Sequence, residues 1–319
     1  MAKIIQWFPG HMKKATRDME EKRSLCDGVI CVLDARAPVA TFNPRLTEIF
    51  KGKPVLYVLN KSDLADGKAE QFAAMIEKQG RACVLLSAVN GSSRRALEKR
   101  LQLLTKEKRE RAENKGITRR FRYVVAGIPN TGKSTIVNLL GGAKRAKTGD
   151  IAGVTRDVRW IKCADFDLLD TPGTMPPFCE TQYLARHLAY IGSINDDILD
   201  IADVAAHLLN ELQQICPAAL EQRYGIAAET PNAPNAANAP NAAESGKETS
   251  DTEIAAEYGN GAMNSAALLE AVCKRRGLIV RGGEYDYERA ARAVIDDFRK
   301  GRLGKVCLEY PGRHENVKF

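Results

Sequence analysis

The sequence predicts an α/β protein: a mostly parallel sheet with helices on both faces, followed by a smaller all-α part. Three observations predict it. Short Val-, Ile- and Leu-rich runs alternate with helix-length segments up to about residue 170. One of these runs leads directly into a glycine-rich loop, GIPNTGKS at 127–134. Beyond about residue 180 the strand signals stop and only helical spacing remains.

The strand candidates are GVICVL (28–33), PVLYVL (54–59), ACVLL (82–86), FRYVVA (121–126), DVRWIKC (157–163) and DFDLL (165–169). Near-continuous apolar runs of this length suit strands that are buried on both faces. Helical patterns fill the gaps. One follows His11, with Met12, Ala15 and Met19 on one stripe, and another spans 93–108 with Leu97, Leu101 and Leu104 inward. Further on, Ile198, Ala202, Ala205, Leu209 and Leu212 recur at helical spacing. A helix beginning near Ser265 ends at Gly277, and one beginning at Asp286, a candidate N-cap, ends at Gly301. The expected boundaries are 1–178 for the α/β domain and 179–319 for the helical one. The stretch 225–260 holds six acidic residues and one basic, with a PNA-rich core and few apolar side chains. It is expected to be a disordered insertion, since little burial would offset its ordering entropy.

Composition narrows the class. The chain has 319 residues, 44% hydrophobic and 28% charged, as in globular proteins. No apolar run approaches the ~20 residues that span a bilayer. The N-terminus MAKIIQWFPGHMKK lacks the apolar core of a signal peptide. The eight cysteines include no C-x-x-C pair and read as reduced residues. A cytoplasmic chain is expected, with no membrane partner. The net charge of +8 is compatible with a polyanion and is unevenly spread. Residues 94–122 hold twelve basic and four acidic residues, 264–319 hold twelve and eight, and the first 24 hold six and three. These are three candidate RNA-facing surfaces, although a charge run is commonly only a solvated face.

The chemistry rests on five elements. GIPNTGKS fits G-x-x-x-x-G-K-[ST] and sits between a strand and a helix-compatible stretch, as a phosphate-binding P-loop requires. Its nucleotide-facing residues are Asn130, Thr131, Gly132, Lys133, Ser134 and Thr135. Lys133 would neutralise β- and γ-phosphate oxygens, and the Ser134 hydroxyl would ligate Mg²⁺. DTPG at 170–173 ends the next apolar run: Asp170 suits Mg²⁺ through water, and the Gly173 N–H suits the γ-phosphate. NKSD at 60–63 places Asn60 to fix the loop, Lys61 to stack on a purine, and Ser62 and Asp63 beside it. The Asp63 carboxylate would accept from guanine N1–H and its exocyclic amine, a donor pair that adenine lacks. Ser87 and Ala88 end the following strand, where a backbone N–H would meet guanine O6. Thr155 in GVTRD would place its hydroxyl on Mg²⁺ in the GTP state; Thr148 is a rival. Together these make a site for GTP and GDP. Ordinary GTPases run P-loop, Thr, DxxG, NKxD, SA. Here NKSD and SA precede the P-loop, so the chain reads as a circular permutant, and the segment after DTPG leaves for the helical part.

With WFPGHMKKA, VLDARAP, NKSD, GIPNTGKS, GVTRD, DTPG and LAYIGSI on one chain, the sequence resembles the circularly permuted GTPases, and among them the ribosome biogenesis GTPase A (YlqF/RbgA) family. The resemblance covers residues 7–200; the helical part matches in position and basic character. It implies a circularly permuted P-loop GTPase domain. It further implies a GTP-hydrolysing assembly factor for the large ribosomal subunit or its late precursor, contacting rRNA through the helical part. Turnover would be slow until the subunit stimulates it. It assigns His11 to the attacking water, against a packing role for the same residue, and Asn130 to K⁺. A monomer that binds no DNA is expected. Thr174 departs from the family's apolar residue, and Ala152 from its usual Pro. The alternative is an RNA-binding protein for which GTP is a conformational ligand with negligible hydrolysis.

Overall fold

Six strands build one sheet: β1 (Gly28–Asp34), β2 (Val55–Asn60), β3 (Ala82–Leu85), β4 (Phe121–Ala126), β5 (Arg159–Lys162) and β6 (Phe166–Asp170). The computed structural model describes residues 10–142, 158–176, 181–226 and 262–319, together with Ile5 and Cys179. The strand order is β3-β2-β1-β4-β6-β5. Every neighbouring pair is parallel except β5 and β6, which form an antiparallel edge hairpin. Each of the six apolar runs is therefore a strand. The P-loop strand β4 lies between the DTPG strand β6 and β1, and the NKSD strand β2 lies just beyond.

The period-two alternation of strand side chains sorts the core. Ile30, Val32, Leu56 and Val58 face Leu97 and Leu101 of α4 (Ser93–Leu104) and Ile136, Val137 and Leu140 of α6 (Lys133–Gly141). Cys31, Leu33, Tyr57 and Leu59 face Phe72 and Ile76 of α3 (Lys68–Lys78) and the helical part. Met19 of α1 (Gly10–Lys22) and Leu46 and Ile49 of α2 (Pro44–Ile49) close over Val29 and Val124. The single helix expected over 93–108 is two, α4 and α5 (Lys106–Glu113). Thr105 breaks it: the residue is buried, and its hydroxyl lies 2.9 Å from Tyr123 Oη and 3.1 Å from Leu101 O.

The helical part comprises α7 (Gln182–Tyr190), α8 (Ile201–Ile215), α9 (Pro217–Tyr224), α10 (Ala262–Arg276) and α11 (Tyr287–Arg299). Asp286 caps α11 by accepting from the Arg289 N–H at 3.0 Å. After α11 the chain does not extend the bundle. Val306 N–H donates to Leu64 O and Leu308 N–H to Arg36 O, and the Phe319 ring lies 5.0 Å from that of Phe42. Residues 303–319 therefore return to the sheet, although a sequence boundary at 179 groups them with the helices. The expected insertion lies outside the described residues beyond Ile226. Among the described residues no helix is long and apolar enough to cross a membrane.

One buried polar cluster joins the two parts. His187 of α7 sits between Glu211 of α8 (Nε2 to Oε2, 3.1 Å) and Glu309 of the returning segment (Nδ1 to Oε1, 3.2 Å). Tyr190 Oη donates to Glu211, and Glu309 accepts from the N–H groups of Val39 and Ala40. Burial alone would lower the imidazole's pKa, but Glu211 and Glu309 overcome it and push it up to about 9.

Candidate nucleotide site

The site lies at the carboxyl ends of β4, β6, β1 and β2, where a parallel sheet leaves a crevice. Gly132 precedes α6 with φ +92°, a left-handed conformation in which a Cβ would collide with the Asn60 amide. The turn thus needs glycine both for its backbone and for the close approach of β2. Thr131 is buried and donates its hydroxyl to Ile128 O at 3.1 Å. Ser134 and Thr135 occupy the first turn of α6, whose N-terminus carries partial positive charge. Lys133 is buried, and its Nζ donates to Ile128 O at 2.7 Å. Burial lowers its pKa to about 8, against the pull of Asp170.

Asp170 ends β6 fully buried. Among the described residues neither carboxylate oxygen has a hydrogen-bond partner, and Arg159 Nε pairs with it at 3.6 Å. Burial raises its pKa, offset in part by Arg159 and Lys133. A buried, unsatisfied carboxylate beside the P-loop is the donor chemistry that a hard cation requires, so the residues present fit Mg²⁺. Gly173 lies so close to the P-loop that a Cβ would stand 2.6 Å from Pro129 N. Thr174 is buried; its N–H donates to Gly127 O at 3.2 Å, and Asn43 holds its carbonyl at 2.9 Å.

Asn60 stitches three loops together. Its Nδ2 donates to Thr131 O and its Oδ1 accepts from the Ala88 N–H, both at 2.9 Å. Of the Ser87–Ala88 pair expected to offer a backbone N–H to guanine O6, the Ala88 N–H is bonded to the end of β2. Lys61, at φ 65°, sends its Nζ to Asn130 O (2.6 Å) and to Asp34 Oδ2 (2.8 Å). Its stem is held between β1 and the P-loop. Ser62 opens the short 3-10 turn Ser62–Leu64, and Asp63 is exposed beside it, free of burial where a base edge would lie. His11 stands in the first turn of α1, and its side chain lies outside the described residues. Thr155 also lies outside them.

Some residues bound into the site carry no local motif. Asp34 is fully buried and pairs with Arg36 through two bonds of 3.0 and 2.8 Å. Burial alone would raise its pKa, but Arg36 and Lys61 hold the carboxyl well below the usual range. Asn130 donates Nδ2 to Gly192 O, and Ser193 Oγ donates to Pro129 O at 2.8 Å. Asp34, Arg36, Gly192 and Ser193 lie in VLDARAP and LAYIGSI, stretches that mark the family resemblance without showing what they touch.

Comparison with known proteins fits this geometry. Residues 122–230 match the 50S ribosome-binding GTPase family. Ribosome biogenesis GTPase A of Bacillus cereus is 36% identical over 97% of this chain and 94% of its own length. The chain belongs to the ribosome biogenesis GTPase A family. The Bacillus licheniformis member is 35% identical over 97% of this chain and 99% of its own. The GNP-bound crystal structure of YlqF from T. maritima shares the fold, with a TM-score of 0.56 at 24% identity, covering 93% of this chain and 98% of that one. Membership makes this protein a GTPase with a circularly permuted G domain and a GTP-binding ribosome assembly factor, with guanine nucleotide and Mg²⁺ as the ligands its site must hold.

Proposed function

We propose that the protein hydrolyses GTP while assembling the large ribosomal subunit, and that its nucleotide state governs its grip on rRNA. The observation that carries this reading is the seam between P-loop and helical part: Asn130 to Gly192 O and Ser193 to Pro129 O. A change at the phosphates is felt one hydrogen bond away by the segment leading into the helices. Asp63 selects guanine. Lys133 and the P-loop amides would hold the phosphates, and Ser134, Thr155 and Asp170 would hold Mg²⁺, which would supply charge neutralisation at the β- and γ-oxygens. His11 orients water, and Asn130 supports K⁺. The subunit completes the site and speeds turnover. The description of the matching family as 50S-binding supports the choice of subunit.

An arginine groove supports the RNA contact. Arg223 of α9, Arg275 and Arg276 of α10 and Arg289 of α11 line an open groove of about 510 Å³. Arg223 and Arg276 also bond to buried Asp297, which fixes their direction; burial opposes this carboxylate, but the arginines bring its pKa down to about 2. The denser run 94–122 is a further candidate surface, and several of its cations likewise pair within the chain. Arg94, Arg100, Lys106, Arg111, Arg119 and Arg120 each pair with a carboxylate of the chain.

The test is GTP hydrolysis with and without purified large subunits, in K⁺ and in Na⁺. Stimulation by subunits, greater in K⁺, is expected; absence of stimulation overturns the reading. Single-turnover hydrolysis on the particles separates it from a non-hydrolysing RNA binder. Arg289→Ala should reduce the salt slope of subunit binding by about one.

A further inference from the structure

A closed circuit of polar contacts runs through the P-loop and the end of α11. From Asn130 O it passes to Lys61 Nζ (2.6 Å), on to Asp34 (2.8 Å), and to Arg36 by two bonds. Arg36 Nη1 then donates to Arg299 O at 3.4 Å. The Arg299 side chain turns back. Its Nε donates to Tyr190 O at 2.9 Å and its Nη2 to Ala189 O at 2.8 Å, while Asp196 grips the same guanidinium at 2.7 and 2.8 Å. Two residues beyond Tyr190, Gly192 O accepts from the Asn130 side chain and closes the ring. Every corner is buried or half-buried.

We propose that Arg299 is a positioning residue for the GTPase reaction, holding the P-loop at Pro129–Asn130 through segment 189–193. Three features support this role. Arg299 neutralises the C-terminal carbonyls of α7, where cationic side chains are favoured. Its planar fork satisfies two carbonyls and one carboxylate at once, which a lysine cannot do. Asn130 holds a left-handed φ of 59°, a conformation asparagine tolerates better than most residues, and the circuit supports it there. That support comes from both ends of the circuit: Lys61 on its carbonyl and Gly192 on its amide. The carboxyl end of α11 therefore reaches the phosphate-binding turn without touching nucleotide. Whatever binds α11 gains a mechanical route to the nucleotide.

The experiment uses the full chain and a fluorescent GDP analogue. Arg299→Ala should weaken its binding by roughly tenfold, within the span expected for a broken coupling network. Arg299→Lys should restore only part of the loss. Arg302→Ala is the control. Arg302 lies three residues on and pairs with Asp296 and Asp297, outside the circuit; its affinity should match the unaltered protein. Affinity of Arg299→Ala within twofold of the unaltered protein would overturn the inference. So would an equal loss in Arg302→Ala. If Arg299→Ala does not fold, Ser193→Ala removes only the bond to Pro129 O and should weaken binding by roughly threefold; unchanged affinity there overturns the proposal. The inference rests on the P-loop reading, and the two fail separately. An unaltered protein that binds no GDP analogue refutes the P-loop reading, whereas equal binding by parent and variants refutes only the role of Arg299.

Discussion

Asp34 and Asp170 end two strands that flank β4, both fully buried, and the protein treats them in opposite ways. Asp34 is saturated: Arg36 takes both oxygens and Lys61 adds a third contact, so its charge is favoured in the fold. Among the described residues Asp170 makes no close hydrogen bond, only a 3.6 Å pairing with Arg159, and burial disfavours its charge. The first carboxylate builds the site and the second waits on a ligand. The contrast teaches that burial alone does not mark function. What marks it is burial with too few partners: among the described residues Asp170 faces Arg159 Nε at 3.6 Å, where Asp34 is met on both oxygens, and a buried charge so thinly paired is costly unless a ligand meets it.

The contrast can be broken by substitution. Asp34→Ala strands the buried Arg36 guanidinium and should cost about 3–5 kcal/mol, as removal of one partner of a buried pair does. Denaturant unfolding measures it; a loss below about 1 kcal/mol would make Asp34 as dispensable to the fold as Asp170. Asp170→Asn should act the other way. Hydrolysis should fall by roughly 100-fold or more with loss of the metal-side charge, while stability without nucleotide holds or rises. Addition of Mg²⁺ and GDP should raise the melting temperature of the unaltered protein far more than that of this variant. Equal destabilisation by the two substitutions would erase the distinction.

A third buried charge sharpens the comparison through pH. His187 is partnered on both nitrogens, and its pKa in the fold, about 9, lies above its ordinary value of 6.5. A raised imidazole stabilises the fold fully below the ordinary value, and that stability is lost as pH rises through the folded value. Stability should therefore decline between about pH 6.5 and 9, and His187→Gln should flatten that limb. The lowered Asp34 gives the opposite limb: its contribution is present above the ordinary carboxylate value and lost as pH falls toward its folded one. Melting temperature read against pH should show both. An alkaline limb unchanged in His187→Gln would exclude the imidazolium. The smallest effect expected is that of Gly173→Ala, whose added Cβ must push the DTPG loop off Pro129; GTP-analogue affinity should fall by more than GDP affinity.

What was legible in the sequence was local. All six strands, four to seven residues long, fall on the apolar-rich runs, and the P-loop, NKSD and DTPG are each contiguous in the chain. The helix break at Thr105 was hidden, because its cause is Tyr123 on β4. The charge run at 94–122 was visible as charge, but the carboxylates that absorb it include Glu77, Asp27 and Asp167 elsewhere in the chain. Asp34, Arg36, Ser193 and Arg299 stayed silent for the same reason. Arg36 meets a residue 263 positions away, and spacing along a chain carries no trace of such a pairing.

The segment 303–319 gives the molecule a second strap. The helices leave the sheet after DTPG and are tied back to it at Val306, Leu308 and Phe319, where Gln79 brackets the backbone from both sides. The helical part is thereby fastened to the sheet at its far end as well as where it departs, so cutting the last seventeen residues should loosen it without touching the phosphate-binding loop.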